Sequence, residues 1–364
     1  MTPEEALDLA KTVHSIYATA TVRLLEAIGR ATARGLQRPT WATTALLEVT
    51  RLRTEALRIL GQADTAAARE LLAQVEAAYT GGHMFAVGAG GVTRVDQRAV
   101  HALAADTIGL FRGTTPRMLR WTEDIYRQVV ADTVAGAVTG AVSQRDVAAA
   151  ALDRLTSAGA GPLVDTGGRR WQLDTYTDMA TRTAIGRAHL AGTVDQYRAD
   201  GRLWVIVSDS PEECPLCRPF EGTVLALDND IAPPAVPGIR YAGTLTAAIA
   251  RGLHHPNCTH RIHAYIPGLT RAIEWDRPDR RTQNPQGYED RQRQRALERR
   301  VRDSKRRVAA LRPLGNTPAL RTQEALLRRR QATLSGFIKD AGRKAWVSAQ
   351  RTQIPGGLPP KPRS

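Results

Sequence analysis

Leu7, His14, Thr21 and Ile28 share one helical face with Ala10, Tyr17 and Leu24. This heptad-like recurrence predicts a long amphipathic helix at the start of the chain. Its beginning is well marked, with Thr2 as a cap, Pro3 at the first helical position and Glu4 and Glu5 in the first turn. RGLQRPT (34–40) reads as a turn, and a second periodic stretch runs from about Thr40 to Tyr79. GGHMFAVGAGGV (81–92) then breaks the pattern. Its Gly88, Gly90 and Gly91 lack the third glycine of a dinucleotide fingerprint, so a loop is expected there. Helical periodicity resumes to about Thr139, and SQRD (143–146) fits a capped start for one more helix. TSAGAGPLVDTGG (156–168) is the expected linker.

Beyond it the period changes. A helix is expected from about Asp174 to Asp200, stopped by Gly201. LWVIVSD (203–209) and TVLAL (223–227) are short apolar β-type runs, and RIHAYI (261–266) alternates as a half-buried strand does. Helical pattern returns with Leu297, Val301, Val308 and Leu311 on one seam and basic residues on the other faces. PLGNTP (313–318) breaks it, and Leu320, Leu327, Leu334 and Ile338 repeat the scheme, which predicts a helical hairpin. The expected fold is mainly α with a small central α+β core. It divides into a helical domain (1–160), a knuckle-like α/β core (170–275), a basic helical tail (276–350) and a disordered end (351–364).

Composition narrows the class. Hydrophobic content of 42% and charged content of 24% are those of an ordinary globular chain. No apolar run reaches the roughly 18 residues that would cross a bilayer, so no membrane is required. The opening residues lack the basic and apolar segments of a secretory leader, and a cytoplasmic environment is expected. The net charge of +15 is confined: from Arg277 onward 23 Lys/Arg face 7 Asp/Glu, a net of +16, which leaves residues 1–276 at −1.

All three cysteines lie in the α/β core, as CPLC (214–217) and within HHPNCTHRIH (254–263). Cys-x-x-Cys at a tight turn aims two thiolates at one ion, as structural zinc knuckles do. Cys258 and His260 are two apart, so on a strand they share a face and can complete a tetrahedron, with His255 as the alternative fourth ligand. Sulfur and imidazole donors suit zinc better than magnesium or calcium. The competing readings are free cysteines in a core and an HNH-type nuclease using His254 and His255. The nuclease needs a general base beside a separate metal ligand on a strand–helix finger, and here Pro256 follows the histidine pair. The site is therefore expected to be structural, with no catalytic residue.

The tail offers Arg291, Arg293, Arg295, Arg299, Arg300, Arg302, Lys305, Arg306, Arg307, Arg328, Arg329 and Arg330 to a phosphate backbone. Such a surface would bind duplex DNA without reading sequence and with strong salt dependence. Stacking aromatics are sparse, with Tyr288, Phe337 and Trp346 isolated, which argues against a single-strand platform.

WVIVSD (204–209), CPLCRPFEG (214–222) and HPNCTHR (255–261) together resemble the shared core of tailed-phage minor capsid proteins, the minor capsid protein 2 and Mu-type head morphogenesis families. The preceding MATRTAIGRAHLAGTVDQYRADG (179–201) is similar to the helix leading into that core, and YEDRQRQRALERRVRDSKRR (288–307) with LSGFIKDAG (334–342) to the basic extension. The resemblance implies a low-copy head component at the portal vertex and capsid interior, assembled in the host cytoplasm. Portal protein, major capsid protein and packaged DNA would be its partners, in head assembly and DNA packaging or ejection. Cys214, Cys217, His255 and Cys258 match the cysteine-bearing pattern, whereas His260 stands where a third cysteine often follows. A sequence-neutral DNA-binding protein outside any virion is the remaining alternative.

Overall fold

The structure, a computed structural model, describes residues 3–38, 41–87, 95–137, 143–157, 163–165, 168, 170–209, 214–256, 258, 260–270 and 285–343. The loop expected at 88–91 and the disordered end expected at 351–364 lie outside them. Five helices come first: α1 (Pro3–Leu36), α2 (Trp41–Val87), α3 (Gln97–Arg112), α4 (Thr115–Ala137) and α5 (Gln144–Leu155). The strands β1 (Leu163–Val164) and β2 (Arg170–Trp171) then pair antiparallel, and α6 (Leu173–Ala199) follows. The mixed sheet is built from β3 (Trp204–Val207), β4 (Val224–Ala226), β5 (Tyr241–Thr244) and β6 (Ile262–Tyr265), with α7 (Leu245–Ala250) after β5. Helices α8 (Pro285–Leu311) and α9 (Pro318–Asp340) complete the described chain. Among the described residues no helix is long and apolar enough to cross a membrane.

Two compact units form, each from three separate stretches of chain. One comprises Val13–Ala67, Ile108–Thr177 and Arg293–Ser364; the other comprises Met1–Thr12, Ala68–Thr107 and Asp178–Gln292.

The first unit is mostly helical. Leu25, Ile28, Leu52, Tyr126, Val129 and Leu152 form one core with Leu297, Val301, Val308, Leu311, Leu320, Leu327 and Leu334. The predicted seam is therefore buried, with Val301, Val308, Leu311 and Leu327 at 0% exposure. Each such side chain contributes about 1.5–3 kcal/mol on burial. The hairpin does not lie apart as a charged arm; its apolar stripe closes the core of the preceding helices. The breaker acts as expected: a 3₁₀ turn at Arg312–Leu314, Gly315 at φ 79°, then Thr317 accepting from the Leu320 amide at 3.2 Å. Ser143 caps α5 in the same way, accepting from the Asp146 amide at 3.1 Å.

The second unit holds the four-stranded sheet in the order β5-β4-β3-β6. β3 runs antiparallel to β4 and to β6, while β4 and β5 are parallel with a register shift. Alternation along β3 sends Val205 and Val207 into a core with Tyr197, Phe220, Leu225, Leu253 and Ile262. Ile206 faces the other way, toward Val224 and Tyr265.

The sequence pattern places a break at Gly81, yet α2 continues through it to Val87. The reason is a close helix crossing inside this unit. A Cβ on Gly82 would lie 2.1 Å from the His189 carbonyl oxygen, and one on Gly192 would lie 2.1 Å from the Tyr79 carbonyl oxygen. Bare Cα atoms thus let α2 and α6 approach backbone to backbone. The Tyr79 hydroxyl donates to Asp195 at 2.5 Å, and Thr193 Oγ1 lies 3.2 Å from the Gly82 carbonyl. Replacing Gly192 by alanine is expected to destabilise this unit by about 1–3 kcal/mol, the usual cost of overpacking, read as a lower urea midpoint. An unchanged midpoint would mean that the crossing opens without cost.

Candidate metal centre and basic face

CPLC leaves the sheet after β3 as a tight turn, with Cys217 N–H donating to the Cys214 carbonyl at 3.1 Å. The turn leads into a short 3₁₀ segment at Arg218–Phe220, which buries Phe220 and carries the chain into β4. The second half follows α7, where the backbone reverses through Gly252 (φ 110°) and His254 (φ 55°) before entering β6. Turn and reversal meet at one end of the sheet, bringing together residues about forty positions apart.

Five donor atoms gather there, in two overlapping triads that can hold a metal ion: Cys214, Cys217 and His255, and Cys217, Cys258 and His260. Cys217, fully buried, belongs to both. Its Sγ lies 3.5 Å from Cys258 Sγ, which in turn lies 3.4 Å from His260 Nδ1. On the other side Cys214 Sγ is 2.9 Å from His255 Nε2. The three cysteines form no disulfide. Both candidate histidines therefore come to the cysteines, each through a different thiol.

The outer nitrogen of each ring is also held. His255 Nδ1 lies 2.8 Å from the Pro256 carbonyl, which only accepts, so Nδ1 carries the hydrogen and Nε2 faces Cys214. His260 Nε2 lies 2.6 Å from Glu221 Oε1, with the imidazole 3% and the glutamate 5% exposed. Burial alone would lower the His260 pKa, but Cys258 and Glu221, accepting hydrogen bonds from the ring, outweigh it and push it up to about 9. The Cys217 hydrogen bond, joined by His254 and His260, drives Cys258 far below the usual thiol range despite burial. Cys217, giving that bond and buried, moves the opposite way. The inner pair thus favours a thiolate on Cys258 and a proton on His260. A cation held here requires its cysteine ligands as thiolates and its histidine neutral, so binding would be coupled to proton release.

Beside this cluster His189, His254, His260 and Arg261 line a cavity of about 10 Å³, the space of one water. Burial, reinforced by Arg261, pushes His189 down to about 3 and keeps it neutral. The Nε2 atoms of His189 and His254 have no hydrogen-bond partner among the described residues.

The basic residues divide by location. Arg302 and Arg306 are buried at 7% and 4% exposure, and Arg306 places Nη1 2.9 Å from Asp174 Oδ2. Arg307 makes a bidentate pair with Asp153 at 2.8 and 2.6 Å. Arg330 is spent on Asp303, Ser304 and the Arg300 carbonyl. Arg293 covers the Phe337 ring at 5.2 Å. Arg291, Arg295, Lys305 and Arg328 are half-buried, and burial lowers the Lys305 pKa. Arg299, Arg300 and Arg329 are exposed. The buried arginines cannot reach a phosphate backbone without unfolding the helical core, so the outward face is narrower than the charge count suggests.

Glu221 escaped the sequence reading. Its signal was its place in CRPFEG, four residues after Cys217, but a lone glutamate at a turn carries no mark of its partner. Asp174 escaped likewise, because an acid in the first turn of a helix already has a local explanation.

A family model described as phage minor capsid protein 2 matches residues 1–339. A structural protein of Lactococcus phage LL-H is 25% identical over 222 residues, covering 59% of this chain and 58% of that protein. The chain therefore spans less than two thirds of that relative's length. No solved structure is significantly similar.

Proposed function

The chain belongs to the phage minor capsid protein 2 family, and from that premise we propose that it is a structural component of the phage head, placed at the capsid interior near the portal vertex. In this role its sheet-bearing unit is stapled by one zinc ion, and its hairpin presents a basic face to packaged DNA or to the portal. Portal protein, major capsid protein and DNA are the partners, and head assembly with DNA packaging or ejection is the process.

The observation that carries the zinc assignment is the donor set. Three sulfurs and two imidazole nitrogens, with both outer ring nitrogens engaged, fit a soft-to-borderline d¹⁰ ion and not a hard one. Zinc supplies no redox chemistry here; it ties the turn after β3 to the reversal before β6. Purified protein is expected to carry about one tightly held zinc. A content under half an equivalent would remove the staple.

The head assignment rests on the family match along 339 residues and on the phage structural relative. Mass spectrometry of purified particles tests it, and absence from the virion would favour a DNA-binding protein acting elsewhere. The nuclease alternative has its own arm: incubation with plasmid and Mg²⁺ or Mn²⁺ should leave the DNA intact. Cleavage that depends on His254 or His255 would overturn the structural reading.

The basic face makes a quantitative prediction. Each phosphate neutralised contributes about −0.9 to the slope of log K against log salt on duplex DNA. Replacing Arg299, Arg300 and Arg329 together by alanine is expected to make that slope shallower by about 2–3, with little sequence preference in either protein. An unaltered slope would move the contact off this face.

A further inference from the structure

Five donors lie in two overlapping triads that share Cys217, and a tetrahedral ion takes four of them. We infer that His260 is the fourth ligand beside Cys214, Cys217 and Cys258, that Glu221 is the residue positioning it, and that His255 stays outside the ion's shell as a hydrogen-bond partner of Cys214. This inference rests on the zinc reading above.

Distances separate the two histidines. Ligands of one tetrahedral zinc, bound at about 2.3 Å through sulfur and 2.0–2.1 Å through nitrogen, stand about 3.5–3.8 Å apart. The edges Cys217–Cys258 at 3.5 Å and Cys258–His260 at 3.4 Å lie close to that spacing before any ion is bound. The Cys214–His255 separation of 2.9 Å is too short for two ligands of one ion, and is the length of a hydrogen bond. Cys214 therefore needs to turn toward the ion, and His255 need not follow.

The supports also differ. His260 is buried, its backbone N–H donates to Cys258 Sγ at 3.4 Å, and its far nitrogen is locked on a buried carboxylate. A carboxylate behind a metal-bound histidine fixes the ring and raises its basicity. His255 is half-exposed, and its far nitrogen is held by the carbonyl of the next residue and not by a buried carboxylate. A donor fixed on a buried carboxylate binds with less ordering cost than one supported at the half-exposed edge of the site.

The test uses the full chain loaded with Zn²⁺ or Co²⁺. Chelator competition should give a loss of 100-fold or more for His260→Ala, about 10–100-fold for Glu221→Gln, and less than about threefold for His255→Ala. The cobalt spectrum supplies a readout that a packing defect does not move. His260→Cys should retain metal and shift the ligand-field bands to longer wavelength, as a fourth sulfur replaces nitrogen, while His255→Cys leaves them in place. The opposite pattern, with His255 variants losing affinity or shifting the bands, overturns the assignment, as do equal losses at both histidines. Wild-type protein that binds neither ion tightly overturns the zinc reading itself, and that result is seen before any variant is made.

Discussion

Exchanging Cys217 for serine is expected to release the metal and to lower the stability of the sheet-bearing unit by about 4 kcal/mol. That is the linkage contribution of a ligand held at a thousandfold excess over its dissociation constant. Cys217 is the choice because it belongs to both donor triads and is fully buried among Phe220, Leu225 and Leu253. In small zinc fingers the ion contributes more, on the order of 10 kcal/mol, because almost no apolar core exists without it. Here the sheet has its own core on both faces, so the metal-free unit is expected to remain folded at low temperature and to melt early. Thermal unfolding with and without a strong chelator checks this. Wild type should fall to the level of the variant on chelation, and the variant should not respond. If chelator leaves the wild type unchanged while the variant still melts early, Cys217 is a core residue and nothing more.

Elements with local signatures were legible in the sequence. The helix expected at 174–200 forms at Leu173–Ala199, and the runs at 203–209, 223–227 and 261–266 contain β3, β4 and β6. The hairpin seam is buried along most of its length. What stayed hidden depends on partners far away in the chain. β5 has no alternation to announce it: all four residues are half-buried, Gly243 interrupts it, and only parallel pairing with β4 makes it a strand. Gly82 reads locally as a helix breaker, and only the backbone of α6 shows it to be a contact surface. The metal donors were found by type and spacing, but the support of His260 comes from Glu221, 39 residues earlier. Charge was the most misleading signal, since a run of arginines looks the same whether it faces solvent or a buried acid.

Asp174 and Arg306, 132 residues apart, show what that ambiguity conceals, and Asp174→Asn is expected to destabilise the helical unit by about 3–5 kcal/mol. The carboxylate is at 0% and the arginine at 4% exposure, and both Asp174 oxygens lie within 3.1 Å of Arg306 Nη1. Removing one partner leaves a guanidinium in the core with no counter-charge, which costs far more than the intact pair contributes. Joint replacement, Asp174→Leu with Arg306→Met, should therefore recover most of the loss. The pair also fixes a pH dependence. Burial alone would raise the Asp174 pKa, but Arg306 and then Arg302 outweigh it and hold it below its ordinary value of 3.8. A carboxyl depressed in the folded state binds its proton more readily when unfolded, so the stabilisation is complete above about pH 4 and declines as pH falls through the folded pKa. The gap between wild type and Asp174→Asn should accordingly be constant near neutrality and shrink in acid. A gap that does not narrow there would assign the loss to packing. The same experiment bears on the DNA-facing surface, because an arginine that holds the core together in this way is already committed. Mutating Arg306 should lower the denaturation midpoint, whereas mutating Arg299 should lower only the salt slope.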